Sequence, residues 1–477
     1  MSILLQTVAG LGRAGAVSGV SLWLAMGAIR LIASRRGRIQ NLLWTLLIAP
    51  CLMPSFLTGY AWARAILAIT MRPGWNELIY AAALVVRLMP VAVLALYFLP
   101  PPLGVEGMHC YRLLKRNSAL ASQRFFFAGL GAGPWIAFAL VFLLSFGEFE
   151  LAAMWSLKTW PVVLFDAQAG GLALKETLRL VAVPATVQAV LLGALVARGN
   201  PQARSRAVPG TGFKPAGRVA RCGFWFYLVA AAATGALCPL ALVIREALSG
   251  FQALRGNALL IRDIGTSLFF ATGAAGLSWS IAGFSKKTGG ERGSSPKVGW
   301  LLGAPGMLGG LVLALLLLAG FQTRPLRALY DTPVPLFVAL TFLLLPLALC
   351  LRWLCNATRP APALHIARML KNNRLVWHLD GRRRWWSLFL LFCWGYFEFT
   401  ASTLLAPIGM TPVIARLHNL SHYGQTAVLS AMICAAVSVP LLVLLLTATG
   451  RGLYARIRGQ SSYLETGSRL PGTRQAA

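Results

Sequence analysis

The sequence predicts an all-α, polytopic helical membrane protein of about eleven transmembrane helices in two parallel, pseudo-symmetric halves. Three observations lead there. The 477 residues are 57% hydrophobic and only 12% charged, about half the charged fraction of a soluble chain. Apolar runs recur that reach the ~20 residues a helix needs to cross a bilayer. Landmarks early in the chain return later in the same order, about 250 residues on.

The apolar runs place spans at Ala14–Ser34, Leu42–Thr70, Glu77–Pro100, Phe126–Trp155, Leu178–Ala197, Phe224–Ile244, Ile264–Phe284, Val298–Phe321, Pro333–Cys355, Trp386–Pro407 and Thr426–Thr447. Many contain proline: Pro50, Pro54, Pro90, Pro134, Pro184, Pro305 and Pro346. Proline is tolerated in such helices where neighbours re-satisfy the backbone. Ala49-Pro50 in the second span matches Ala304-Pro305 in the eighth, Pro90 matches Pro346, and Gly147 matches Gly395. The repeated unit is five spans. An odd unit inverts on duplication, and the extra span Phe224–Ile244 restores the orientation, which predicts parallel repeats. The divisions are a first half at 1–200, a basic Gly/Pro-rich linker at 201–221, a second half at 222–450 and a tail at 451–477.

Charge sets the expected orientation. Basic residues outnumber acids by 44 to 13, for a net charge of +31. They gather in alternate loops: Arg35, Arg36 and Arg38; Arg112, Lys115, Arg116 and Arg124; the linker; Lys286, Lys287, Arg292 and Lys297; the stretch Arg359–Arg384; and the tail. The opposite loops hold Asp166, Glu176, Glu246, Asp263 and Asp331. The positive-inside rule then puts the N-terminus outside and the C-terminus in the cytoplasm. No basic domain stands apart from the spans, which argues against nucleic acid as a partner and for the lipid bilayer. Trp385 and Trp386 read as anchors at the inner interface.

Two stretches carry acids inside apolar sequence. VFLLSFGEFELAAM holds Glu148 and Glu150, and LFCWGYFEFTASTL holds Glu398. Their common pattern is Gly-x-Phe-Glu-x-x-Ala, aligning Gly147 and Glu150 with Gly395 and Glu398. A carboxylate within a bilayer faces a protein interior or a wet cavity. Glu148, Glu150, Glu398, Gly147 and Gly395 are therefore expected along a translocation pathway. The competing structural reading pairs each acid with Arg30, Arg64, Arg87 or Arg352, or has it cap a backbone break. The eight cysteines form no CxxC pair. His418 and His422 sit in a loop with Arg416 and no carboxylate, so no metal set is expected.

The stretches LLIAPCLMPSFLTGYAWARAIL, VFLLSFGEFELAAMW and EFTASTLLAPIGMTPVIARLHNLSHYGQTAVLSAMICAAVSVPLLVLLL resemble the fused permease subunit of bacterial ATP-binding-cassette importers of the iron(III), thiamine and molybdate type. The resemblance implies a multi-pass protein of the bacterial inner membrane. It implies a solute (ferric iron, thiamine or an oxyanion) delivered by a periplasmic substrate-binding protein. It also implies two cytoplasmic ATPase subunits docked on the loops His109–Phe127 and Ala363–Trp386, where Arg112, Lys115, Arg116, Arg368 and Lys371 lie. Those loops lack the Glu-Ala-Ala and Leu-Pro that the family carries there. The chain has no GxxxxGK[ST] phosphate loop, so ATP hydrolysis is expected in a partner subunit, with no cofactor in this chain. The alternatives are a degenerate permease acting as a membrane scaffold or regulator, and, further off, a membrane-embedded enzyme. No HExxH or Ser/His/Asp cluster supports the enzyme.

Overall fold

Backbone breaks, more than the helices themselves, decide where this chain's polar groups go. The computed structural model describes residues 3–35, 37–69, 73–98, 133–198, 217–254, 257–287, 297–357, 360–370, 373–424 and 426–467. Arg112, Lys115, Arg116 and Lys371, with the whole loop His109–Phe127 and most of the linker, lie outside the described residues.

The described elements are helical, in the order α1 (Ile3–Ala33), α2 (Arg38–Leu52), α3 (Ser55–Ile69), α4 (Pro73–Phe98), α5 (Gly133–Phe146), α6 (Glu150–Met154), α7 (Trp160–Ala169), α8 (Leu174–Arg198), α9 (Arg218–Ala232), α10 (Cys238–Gly250), α11 (Ala258–Lys287), α12 (Lys297–Met307), α13 (Gly310–Phe321), α14 (Val334–Ala357), α15 (Ala361–Met369), α16 (Asn373–Val376), α17 (Arg382–Tyr396), α18 (Thr400–Leu405), α19 (Val413–Ser421) and α20 (Ala427–Gly467). Among the described residues, eight helices are long and apolar enough to cross a membrane, or up to ten if each of two bent pairs counts as one span. The expected tenth span, Trp386–Pro407, is not among them; it is divided into α17 and the short α18 by a break at residues 397–399. At the other end of the chain, α20 runs on through residue 450 to Gly467 as one helix.

The bent pairs follow from local sequence. α2 and α3 meet at 77°. Met53 precedes Pro54 and adopts an extended φ of −70° and ψ of 131°, the conformation that a following proline imposes. α12 and α13 meet at 105°. Gly309 turns the chain there at φ +88°, a region that glycine enters without a Cβ clash. Between α9 and α10 one π-turn, Ala233–Leu237, widens the helix just before Pro239. Proline crowds the preceding turn and has no N–H to give, and the Trp62 indole N–H donates to the Thr234 carbonyl at 3.0 Å.

Packing is of two kinds. A continuous buried cluster joins α1, α4 and α5, α11, α14 and α17, and the short helices after the breaks. Helices also approach closely through small residues, as apolar spans do when water gives them no drive to associate. Gly306 lies against the backbone of α14, where an added Cβ would come 1.9 Å from the Phe342 carbonyl oxygen. Backbone cannot swing aside, so Gly306→Ala is expected to destabilise by at least about 1–3 kcal/mol. Gly276 in α11 faces open space, so Gly276→Ala should be neutral or stabilise by up to ~1 kcal/mol. Thermal unfolding of the two variants in detergent checks the contrast.

Candidate functional site at the helix breaks

α5 ends at Phe146 and α6 starts at Glu150; α17 ends at Tyr396 and α18 starts at Thr400. Each short helix begins with free N–H groups that need acceptors. Glu148 supplies them for α6: the Leu151 N–H donates to Oε1 at 2.6 Å and the Ala152 N–H to Oε2 at 3.3 Å. Glu398 does the same for α18. The Ala401 N–H reaches Oε1 and Oε2 at 3.0 and 3.1 Å, and the Ser402 N–H reaches Oε2 at 3.2 Å. Both acids are half-buried, and a carboxylate at a helix N-terminus is further favoured by the helix dipole.

This geometry corrects the expected register. The residue that plays Glu398's local part is Glu148, not Glu150, two residues along from the Gly-x-Phe-Glu alignment. Glu150 instead stands near the Ser55 side chain at the start of α3 and the Phe399 backbone, with Arg87 the cation that acts on it. Thr400 occupies the equivalent place beside α13, where a Cβ on Gly310 would meet the Thr400 Cβ at 3.2 Å.

The breaks come together through Phe149 and Phe399. These buried rings stack in parallel, with centroids 5.6 Å apart and planes at 4°. Gly147 and Gly395 make room for their neighbours. A Cβ on Gly147 would sit 3.2 Å from Gln188 Nε2, and one on Gly395 3.1 Å from a Leu344 methyl group. Gln188 on α8 is fully buried, and neither polar atom of its amide has a partner among the described residues.

Of the arginines considered as partners, Arg87 acts on Glu150, and the Arg64 side chain lies outside the described residues. Arg352 donates to the Trp279 carbonyl at 2.7 Å and stands 5.1 Å over that indole ring. Arg30 is exposed. The groups that sequence reading missed are Tyr80 and Arg13. The Tyr80 hydroxyl donates to Glu148 Oε2 at 2.6 Å, Arg13 stands 5.0 Å over the Tyr80 ring, and the Arg13 guanidinium pairs with Glu77 at 2.8 Å. A weak signal was present in the dipeptide Glu-Phe, at 148–149 and 398–399, with a small residue four positions after each glutamate, Ala152 and Ser402.

A histidine pair adjoins the same place. His418 on α19 is buried against Phe399, with ring centroids 4.3 Å apart, and His422 lies one turn further on. Burial, and after it the neighbouring His422, push the His418 pKa down to about 4, so this ring is neutral at physiological pH.

Together these features define a chain of apolar, repeatedly interrupted helices with half-buried acids at the interruptions. No family model matches the chain, and neither a search of curated proteins nor one of solved structures returns a match.

Proposed function

We propose that the chain is the transmembrane permease component of an ATP-driven importer, moving a small solute across the bacterial inner membrane by alternating access between two parallel, pseudo-symmetric halves. The observation that carries the reading is the meeting of two interrupted helices, each with its own capping glutamate, at the Phe149–Phe399 stack. Interrupted helices at a repeat interface are where membrane transporters hold solute and coupling groups. The recurring order of elements supports the two halves. α1 packs on α4 and α5 as α11 packs on α14 and α17, and a bent pair follows α1 as another follows α11. α9 and α10 are the intervening addition. The resemblance to the iron(III), thiamine and molybdate permeases points to a solute of that size delivered by a periplasmic binding protein, with ATP hydrolysed by partner subunits.

α15 is the docking element on this reading. Leu364 and Ala367 bury one face, while Ile366, Met369 and Leu370 expose apolar surface beside Arg368. The paired substitution Ile366→Asp with Met369→Asp should abolish recovery of an ATPase with the detergent-solubilised chain and leave its unfolding temperature unchanged. The function itself is tested in vesicles reconstituted with the co-purified ATPase: ATP-dependent uptake of a candidate solute supports it. Consistent absence of any ATPase from the purified chain supports a second reading, a permease-like membrane scaffold or regulator. The missing Glu-Ala-Ala in the two cytoplasmic loops favours that alternative.

A further inference from the structure

His418 and His422 are four residues apart on α19, a spacing that puts side chains on one helix face. Their Nε2 atoms face each other at 3.2 Å. Two imidazole nitrogens bound to one zinc-like ion at about 2.0–2.1 Å in tetrahedral geometry stand roughly 3.3 Å apart. The pair is thus already at the bite of a chelate. From this geometry we propose that His418 and His422 form an open two-imidazole site for a late first-row divalent metal ion.

The surroundings fit that role. Packing against Phe399, with Phe56 at a centroid distance of 6.4 Å, fixes the His418 ring. The turn bearing His422 is held by Ser421, whose hydroxyl donates to the His418 carbonyl at 2.6 Å and lies 4.0 Å from Met154 Sδ. Arg416, the cation nearest in sequence, is committed elsewhere. It forms an ion pair with Asp263 on α11, its Nη2 reaching Oδ1 at 3.3 Å, so its charge is neutralised by a partner. His422 is exposed, which leaves a route for the ion and room for further ligands. Among the described residues no third His, Cys, Asp or Glu completes the set. The remaining coordination positions therefore belong to solvent or to groups arriving with the ion, the pattern of an exchangeable site rather than a closed structural one. Without metal, one ring donates its Nε2 proton to the other; with metal, the donor ring takes its Nδ1–H tautomer and both Nε2 lone pairs turn to the ion.

The proposal does not depend on transport, and its test uses the purified full-length chain in detergent. After chelator treatment the protein is titrated with Co(II), whose visible absorption reports coordination, and then with Zn(II) in competition. The expected result is saturable binding of one equivalent, displaced by Zn(II). It should weaken at least ~tenfold in His422→Ala, because one of only two protein ligands is gone, and stay unchanged in the control His365→Ala. His422 is exposed, so its replacement leaves the fold intact, while His418→Asn removes the second ligand as an independent check. A wild-type chain without saturable binding, or a His422→Ala variant that binds as tightly as wild type, overturns the proposal.

Discussion

Glu398→Ala is expected to lower the stability of the protein by roughly 2–4 kcal/mol, because it leaves the N–H groups of Ala401 and Ser402 without their acceptor. The carboxylate also stands at the start of α13, where a Cβ on Gly310 would come 2.9 Å from Glu398 Oε1. Two half-helix N-termini therefore converge on one side chain. Glu398→Gln keeps one carbonyl acceptor, but its NH₂ group opposes a backbone donor, so its loss should be about half as large. Gly310→Ala should act in the same direction by pushing the carboxylate away. In reconstituted vesicles the proposed pathway role adds a separate result: Glu398→Gln should reduce uptake at least ~tenfold even at temperatures where the variant is fully folded, a deficit of about 1.4 kcal/mol or more in transition-state free energy. Glu150→Gln supplies the contrast. Glu150 caps no helix and stands near Ser55, the Phe399 backbone and Arg87, so its substitution should reduce uptake with a smaller loss of unfolding temperature. Normal uptake in both variants would leave Glu398 a capping group alone and Glu150 without a pathway role.

That pair of outcomes shows how far the sequence could be read. Apolar run length placed spans at Leu42–Thr70 and Val298–Phe321, but not their bends: the first bends where Pro54 holds Met53 extended, and the second where Gly309 turns the chain. The acids were picked out for the same kind of reason: a carboxylate among Phe and Leu is conspicuous by its cost. Capping of a backbone break was one of the roles the sequence offered; which acid does the capping was not legible. Whether Glu148 or Glu150 matches Glu398 depends on which of them turns back onto the next helix, and that is decided by the break at residues 147–149, two residues away from the alignment that glycine suggested. Partners such as Tyr80, Arg13 and Ser55 come from other helices, and no local pattern marks them. His418 and His422 looked unpromising beside Arg416; the ion pair that neutralises that arginine reaches across to Asp263. The division of the expected span Trp386–Pro407 was hidden for a related reason, since continuous hydropathy does not reveal that the backbone stops being helical at Phe397.

Truncating the Phe149–Phe399 stack should have the other large effect. Each ring is buried and each meets more than its partner, Phe149 lying 4.8 Å from Phe165 and Phe399 lying 4.3 Å from His418. Single replacement by alanine should cost about 3–5 kcal/mol, the usual loss for a buried phenyl group. Milder Phe149→Leu and Phe399→Leu changes, combined in a double-mutant cycle, should reveal a coupling of about 0.5–1.5 kcal/mol from ring–ring contact. A coupling near zero would mean that the rings are neighbours without mutual stabilisation. The functional consequence on the proposed reading is a leak. The stack closes the point where the two interrupted helices meet, with Glu150 and Glu398 beside it, so a wet route there is blocked by two flat apolar groups rather than by a backbone wall. Vesicles holding the double leucine variant without any ATPase should therefore lose a trapped small polar solute that wild-type vesicles retain. If those vesicles are as tight as wild type while the cycle shows strong coupling, the rings are a structural rivet and the pathway lies elsewhere, because an apolar seal on the route cannot be thinned without admitting water.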